Sequence, residues 1–343
     1  MPLIDVSGDG KMDRRLIYLI HLHLTTLASA YVWCEGMQNA PLKIPRQLSV
    51  PLWQASQRAG LQPIISHPAV VLHNWQLKDP QLPFSLDNIG TITGQFIPET
   101  DLNYFFLVTA QIEATFAQAF TPIQSVLRGI HDQNPALVSQ SLTQIGHVTR
   151  QLTDNLAQMY TRVQPSVFYH KIRPYLTGYT TGPHKNQGGI IFQGVQDDQP
   201  VSFFGGSAAQ SSILHTLDAL LGIEHAHTNN RAFLLEMRSY MPVEHAAFLE
   251  HLERSCQLRQ FVAEAGDKNP QLAQAYNDCI QAVAEFRTAH IRLVTRYIVN
   301  RKNSGSGSGP SQYLQEHGTG GTQLMPFLKS LRDESKQHYL TKQ

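Results

Sequence analysis

His290 stands in the middle of an apolar stripe formed by Leu272, Tyr276, Cys279, Val283, Phe286, Val294 and Tyr297, spaced three and four residues apart. A neutral imidazole so placed can give one ring nitrogen to an iron while its apolar neighbours pack a flat macrocycle. Taken alone, the pattern is commoner for a histidine satisfied within a core. Two other histidine groups, His21-x-His23 and Glu224-His225-Ala226-His227, have spacings seen around metals. Residues two apart on a helix point away from each other, and the second group follows Gly222 in what reads as a solvated turn, so structural roles are expected for both. Gly205-Gly206-Ser207-Ala208 suits the close approach of a flat ligand, because glycine and alanine leave room and serine can donate a hydrogen bond. The same residues also read as a helix start with Ser207 in its cap. HExxH, GxSxG, GxGxxG and GxxxxGK[ST] are all absent, which removes the usual support for metalloprotease, hydrolase and nucleotide-binding chemistry.

The elements that must hold these residues are helices. Apolar residues recur at helical spacing, and period-two alternation is scarce, with at most a minor hairpin around Gly189 to Phe192, so an all-α fold is expected. Asn134-Pro135 predicts the start of one long helix with an apolar stripe running to Val163, and Asn269-Pro270 predicts a second, which carries His290. Residues 14–30 imitate a secretion signal, with two arginines, an apolar run and Ala28-Ser29-Ala30. His21, His23, Thr25 and Thr26 interrupt that run and the helical pattern continues through Trp33, so a buried helix is expected. Prolines at 45, 51, 63, 68, 80, 83 and 98 predict short helices and turns that join a small N-terminal helical domain, 1–96, to a larger one, 97–343. Residues 303–309 read NSGSGSG, a connector composition that predicts a flexible loop near 301–321.

At 343 residues and 42% hydrophobic, the chain is long enough for one large core plus a smaller domain, and a charged fraction of 15% argues against disorder. The 27 basic and 26 acidic residues are spread evenly, which leaves no electrostatic footprint for nucleic acid or an anionic membrane and turns attention to small molecules. Three cysteines without CxxC or CxxCH exclude a disulfide framework, a zinc ribbon and a covalently attached c-type haem, and fit a reducing cytoplasm.

Segments along nearly the whole chain resemble, in order, the indoleamine 2,3-dioxygenase family. They are AYVW in the first helix, PIISHPAVVLHNWQLKDP from Pro63, FFLVTAQIEATFA from Phe105 and FYHKIRPYLTGY from Phe168. FFGGSAAQSSILHTLDALLGI from Phe203, MRSYMP from Met237, FRTAHIRLVTRYI from Phe286 and HGTGGTQLMPFLKSLR from His317 complete the set. The resemblance implies a small helical domain over a large all-α domain that holds haem b between its helices. His290 then matches the proximal iron ligand, and Arg287 matches a residue that approaches a haem propionate and Asp218. Gly206, Ser207 and Ala208 match the distal side. Arg173 matches the residue that grips the substrate carboxylate, a task suited to a planar guanidinium fork. Phe105 and Phe168 match aromatic walls of the indole site, and Thr319 matches a glycine-rich loop that closes over the bound amino acid. Glu113 matches an acidic residue of the family and receives no role.

The sequence also departs from the family pattern. In the best-studied members the positions of His67 and Thr109 carry tyrosine and serine, which makes this pocket more polar at one wall and slightly fuller at another. His67 reads either as a partner for an indole N–H or bound oxygen, or as a residue facing solvent beside Pro68. The later start of the chain implies a thinner small domain.

The activity implied is insertion of O2 across the indole C2–C3 bond of L-tryptophan or a related indole, giving an N-formylkynurenine-type product of the kynurenine pathway of tryptophan catabolism. O2, an indole amino acid and an electron donor for haem reduction are the implied partners of a cytoplasmic monomer that engages neither nucleic acid nor membrane. Two alternatives stay open: a superfamily haem oxygenase acting on a modified indole, and a non-enzymatic haem O2-binding protein.

Overall fold

Proline in the first turn starts both long helices, as the sequence predicts. The first is Pro135–Ala157, capped by Asn134, whose side-chain oxygen accepts from the Leu137 N–H at 3.1 Å. It ends short of Val163, since Met159–Arg162 forms a separate turn and Val163 is extended. The second is Pro270–Val294, which continues into a π-helical turn, Thr295–Val299, that carries Tyr297 of the predicted stripe. The computed structural model describes residues 4–6, 12–93, 100–302, 318–319 and 323–340.

The longer helices are, in chain order, α1 (Arg14–Trp33), α2 (Arg46–Ala59), α3 (Thr100–Phe116), α4 (Phe120–His131), α5 (Pro135–Ala157), α6 (Ser212–Leu221), α7 (Thr228–Arg238), α8 (Val243–Ser255), α9 (Leu258–Ala265), α10 (Pro270–Val294) and α11 (Leu324–Lys336). The fold is all-α. Its main core lies between α5 and α10, where Leu142, Ile145 and Leu152 meet Tyr276, Ile280 and Val283, with Ile123 of α4 and Leu217 of α6 packed alongside. Each such aliphatic side chain contributes about 1.5–3 kcal/mol when taken out of water. Cys279 of α10 packs over Gly146 of α5, where a Cβ would stand in ordinary contact with its Sγ at 3.5 Å.

The strands are short. β1 (Lys43–Ile44) pairs in parallel with β2 (Ile190–Phe192), and β2 pairs antiparallel with β3 (Pro200–Val201). The expected hairpin is therefore the centre and one edge of a three-stranded sheet, whose third strand comes from far away in the chain and, at two residues, carries no readable alternation. Gln76–Leu77 and Ile89–Gly90 form a separate antiparallel pair.

α1 is long and apolar enough to cross a membrane by length and composition. In the fold its Ile17, Leu22, Ala28, Val32 and Trp33 are buried. Thr25 and Thr26 donate to the carbonyls of His21 and Leu22 at 2.8 Å, and His21 Nε2 bonds to the Gln62 carbonyl at 2.9 Å. Burial pulls the His21 pKa down to about 4, so it packs as a neutral ring.

The boundary expected near residue 96 and the Gly/Ser run 303–309 lie outside the described residues. Two smaller cores draw on both sides of that boundary, one joining Leu22, Ile65 and Val70 to Leu102, Phe106 and Ile172, the other Trp33 and Leu52 to Tyr179 and Phe192.

Residues 176–179 cross residues 203–206 with their backbones in contact, through Tyr179 N–H to Phe203 O at 2.8 Å and Gly206 N–H to Leu176 O at 3.0 Å. A Cβ on Gly205 would fall 2.1 Å from Leu176 O, whereas one on Gly206 would meet nothing nearer than Ile65 at 3.6 Å. Gly205→Ala is therefore expected to cost about 3 kcal/mol, and Gly206→Ala to stay within about 0.5 kcal/mol of wild type. Thermal melts of the two variants check this, and equal losses would contradict the crossing.

Candidate cofactor and substrate cavity

One cavity of about 280 Å³ collects the predicted residues His67, Phe105, Thr109, Phe168, Arg173, Gly206, Ser207, Ala208, Asp218, Arg287, His290 and Thr319. Three π-helical turns border it: Pro68–Leu72 supplies Val70 and Val71, Phe168–Ile172 supplies Phe168, and Thr295–Val299 supplies Tyr297 and Ile298. Such turns are a recurrent feature of functional sites, since one extra residue per turn re-aims the side chains beyond it.

α10 turns Phe286, Arg287, His290, Leu293 and Val294 toward the cavity, all on one helical face. His290 is half-buried only because its ring borders the cavity. Its removal from bulk water pulls the pKa down to about 4, so the imidazole is neutral near pH 7 with a lone pair to offer. Among the described residues neither ring nitrogen has a hydrogen-bond partner, and no three His, Cys, Asp or Glu side chains gather as a metal site. A lone imidazole in an apolar wall fits an iron whose other donors arrive with a macrocycle, and does not fit a bare ion.

Beside His290, Arg287 Nη2 donates to Asp218 Oδ2 at 2.6 Å, and its Nη1 donates to the Ser335 hydroxyl. His225 bridges Asp218 Oδ2 at 2.9 Å and Glu334 Oε2 at 2.7 Å. Both ring nitrogens face carboxylates, which calls for two N–H donors and hence an imidazolium. Burial favours neutral His225, but Asp218 and Glu334 outweigh it and raise the pKa. Burial likewise opposes ionisation of Asp218, and Arg287 with His225 overcomes it, holding the carboxyl at about 2. The two shifts report one interaction from its two ends. Arg287 Nε and Asp218 Oδ1 are buried without a hydrogen-bond partner among the described residues, which leaves Arg287 its Nε–H for an incoming carboxylate such as a haem propionate.

The solvated turn expected for residues 224–227 is thus corrected at its centre. Glu224 and His227 are exposed, but the His225 side chain is only 7% exposed, and its partner Glu334 lies far along the chain, where local sequence gives no sign of it.

The capping reading of Ser207 holds in the local structure. Its Oγ accepts from the Ala209 N–H at 3.2 Å as the cap of a short 3-10 turn, Ala208–Gln210, and its hydroxyl proton stays available to donate. Gly205 owes its missing Cβ to the backbone crossing, while Gly206 reaches the cavity. Thr319 is pinned to this segment, its hydroxyl donating to Gly206 O at 2.6 Å and its carbonyl accepting from Gly205 N–H at 3.2 Å. Residues 303–317 and 320–321 of the expected loop lie outside the described residues.

Arg173 is 1% exposed, with its guanidinium 5.7 Å from the Tyr169 ring centroid. Burial lowers its pKa to about 10, which leaves it cationic at neutral pH. Phe105 and Phe168 stack at an angle with ring centroids 5.0 Å apart, and Tyr297 meets Phe168 edge-on at 5.9 Å. Thr109 spends its hydroxyl proton on Phe105 O at 2.9 Å and so offers the cavity an acceptor. His67 does not face solvent: it is 5% exposed, and its Nε2 bonds to Glu113 Oε1 at 2.8 Å. Glu113 and Ser211 also line the cavity without having been assigned there from sequence. The signal for Glu113 was present, since Phe105, Thr109 and Glu113 recur every four residues on one face of α3.

A family model described as "Indoleamine 2,3-dioxygenase" matches residues 1–338. Human "Indoleamine 2,3-dioxygenase 2" is 37% identical over 99% of this chain and 83% of its own length. "Indoleamine 2,3-dioxygenase 1" of Rattus norvegicus is 36% identical over 95% of this chain and 81% of its own length. "Myoglobin" of Haliotis madaka is 34% identical over 98% of this chain and 84% of its own length.

The charge cluster makes a prediction about pH. A raised His225 pKa gives stability that is complete below its ordinary value of 6.5 and is lost as pH rises through the folded value. A depressed Asp218 pKa gives stability that is present above 3.8 and lost as pH falls toward about 2. Denaturant unfolding of the wild-type protein is expected to show both flanks, and His225→Gln is expected to lose the alkaline one. An unchanged alkaline flank in that variant would dissolve the bridge.

Proposed function

The chain belongs to the indoleamine 2,3-dioxygenase family of haem-dependent oxidoreductases, and on that footing we propose that it opens the indole ring of L-tryptophan or a close relative. O2 adds across the C2–C3 bond, that bond breaks, and both oxygen atoms remain in an N-formylkynurenine-type product. The observation that carries this reading is one cavity lined at once by a neutral histidine without a partner among the described residues, a buried arginine and two phenylalanines in tilted contact.

Haem b, reduced beforehand by an electron donor, would supply the redox-active iron that lets dioxygen react with a closed-shell ring. His290 would hold that iron through a ring nitrogen. Arg287 would receive a propionate on Nε, with Asp218 and Ser335 fixing the rest of its guanidinium. Gly206, Ser207 and Ala208 leave room for small reactants and offer one hydroxyl proton. Arg173 would clamp the substrate carboxylate, and Thr319, at the cavity edge, would cover the amino-acid end. Phe105 and Phe168 would wall the indole, with Thr109 and His67 as polar contacts, and the apolar lining excludes water. The net reaction conserves all atoms of substrate and O2, and the stepwise oxygen insertion implied by the family calls for no obligatory general base. The proposal includes a cytoplasmic monomer, and three free cysteines suit a reducing compartment.

The likeness to a Haliotis myoglobin supports a second reading, a haem protein that binds O2 and cleaves nothing. Reduced, haem-loaded protein mixed with O2 and L-tryptophan separates the two. Build-up of product absorbance is expected, whereas a lasting oxygenated spectrum without product would favour the carrier. Arg173→Ala is expected to lower kcat/KM for L-tryptophan by roughly 10–100-fold, the loss of a charged hydrogen-bond pair, with little change for an indole that lacks the carboxylate. Equal losses on both compounds would contradict the clamp.

A further inference from the structure

We propose that Glu113, which plays no part in the scheme above, holds the His67 imidazole with its proton on Nε2, so that Nδ1 accepts a hydrogen bond from the indole N–H of the substrate. This rests on reading the cavity as an indole site.

The ring is held at one nitrogen, its residue at the backbone, and its carboxylate partner by a third group. Its Nε2 lies 2.8 Å from Glu113 Oε1, and its backbone N–H donates to Gln210 Oε1 at 2.9 Å. Glu113 is itself held by the Ser211 hydroxyl, which donates to the same Oε1 at 2.6 Å while its oxygen caps α6 by accepting from Ile213 N–H at 3.2 Å. Glu113 Oε1 accepts from the Ser211 hydroxyl and faces His67 Nε2 as a second donor, so Nε2 carries a proton, and with Nδ1 unprotonated the ring presents a lone pair there. Among the described residues Nδ1 has no hydrogen-bond partner, on a side chain that lines the cavity.

An acceptor set in a largely apolar wall favours the ligand that brings a donor to it. An indole amino acid has two: the ring N–H and the ammonium. The ammonium shares its carbon with the carboxylate and goes with it to Arg173. That arginine follows Phe168, which packs on Phe105, eight residues from Glu113 and so about 12 Å along the axis of α3. The ring N–H is the donor left for His67. Thr109, midway along the same face, is the competing acceptor.

The test is calorimetric binding of L-tryptophan and of tryptophan methylated on the indole nitrogen to the haem-loaded protein, with turnover followed in parallel. Wild type is expected to prefer L-tryptophan by at least about tenfold, and His67→Phe to reduce that preference to within about threefold. Glu113→Gln is expected to weaken the preference in the wild-type background and to leave it unchanged when added to His67→Phe. A purely structural glutamate would not show that dependence. His67→Asn, whose amide oxygen can stand near the position of Nδ1, is expected to recover part of the preference. A preference unchanged in His67→Phe, or lost in Thr109→Val instead, overturns the proposal. Preference without turnover would sink the enzymatic reading and leave this inference standing; turnover with an unaltered preference does the reverse, and no binding of either compound contradicts both.

Discussion

The packing of α10 against α5 is the constraint from which the cavity follows. One face of α10 is committed along its length to the core, where the Cys279 thiol donates to Leu142 O at 2.9 Å. With that face fixed, helical periodicity leaves Arg287, His290 and Val294 no direction but the cavity. The π-helical turn that follows brings Tyr297 and Ile298 to the same wall, and the Tyr297 hydroxyl reaches the Met159 and Val163 carbonyls at 2.6 Å each, tying the end of α10 to the chain just beyond α5. A shift of α10 by one residue would turn His290 away by about 100° and dismantle the site.

Charge in this interior is arranged so that no group stands uncompensated beside the histidine. Two carboxylates, Asp218 and Glu334, face two cations, Arg287 and His225, and the cluster joins α6, α10 and α11. Buried pairs of this kind add little net stability, but breaking one partner leaves a buried charge unpaired and is costly. Its value here is positional, since it orients Arg287 at the cavity wall and docks α11, the helix that follows the segment carrying Thr319. Across the cavity lining, the polar groups are spent in the same economical manner: Thr109 and Thr319 give their protons to backbone carbonyls, and Ser207 caps a turn while keeping its own.

The long helices were legible in the sequence because Asn-Pro starts and apolar stripes are local signals. The stripe through Tyr297 predicted the right buried face even though the helix changes to π geometry before reaching it. The residues around the cavity were legible through the family resemblance, and no spacing in the chain would have joined Arg173 to His290. What the sequence hid was made by distant partners: the bridge from His225 to Glu334, the pair formed by His67 and Glu113, and the strand at Lys43–Ile44 that completes the sheet. Each depends on a tertiary contact between segments that are individually unremarkable. Gly205 was read for its freedom toward a ligand, when its lack of a side chain answers to the backbone of Leu176.

The central claim is that this cavity joins molecular oxygen to an indole ring. It is tested most directly by supplying heavy-isotope dioxygen and L-tryptophan to the reduced, haem-loaded protein and weighing the product. The account predicts a single ring-opened product carrying both heavy oxygen atoms. A product with one heavy atom, with the other drawn from water, or recovery of unaltered tryptophan would contradict it.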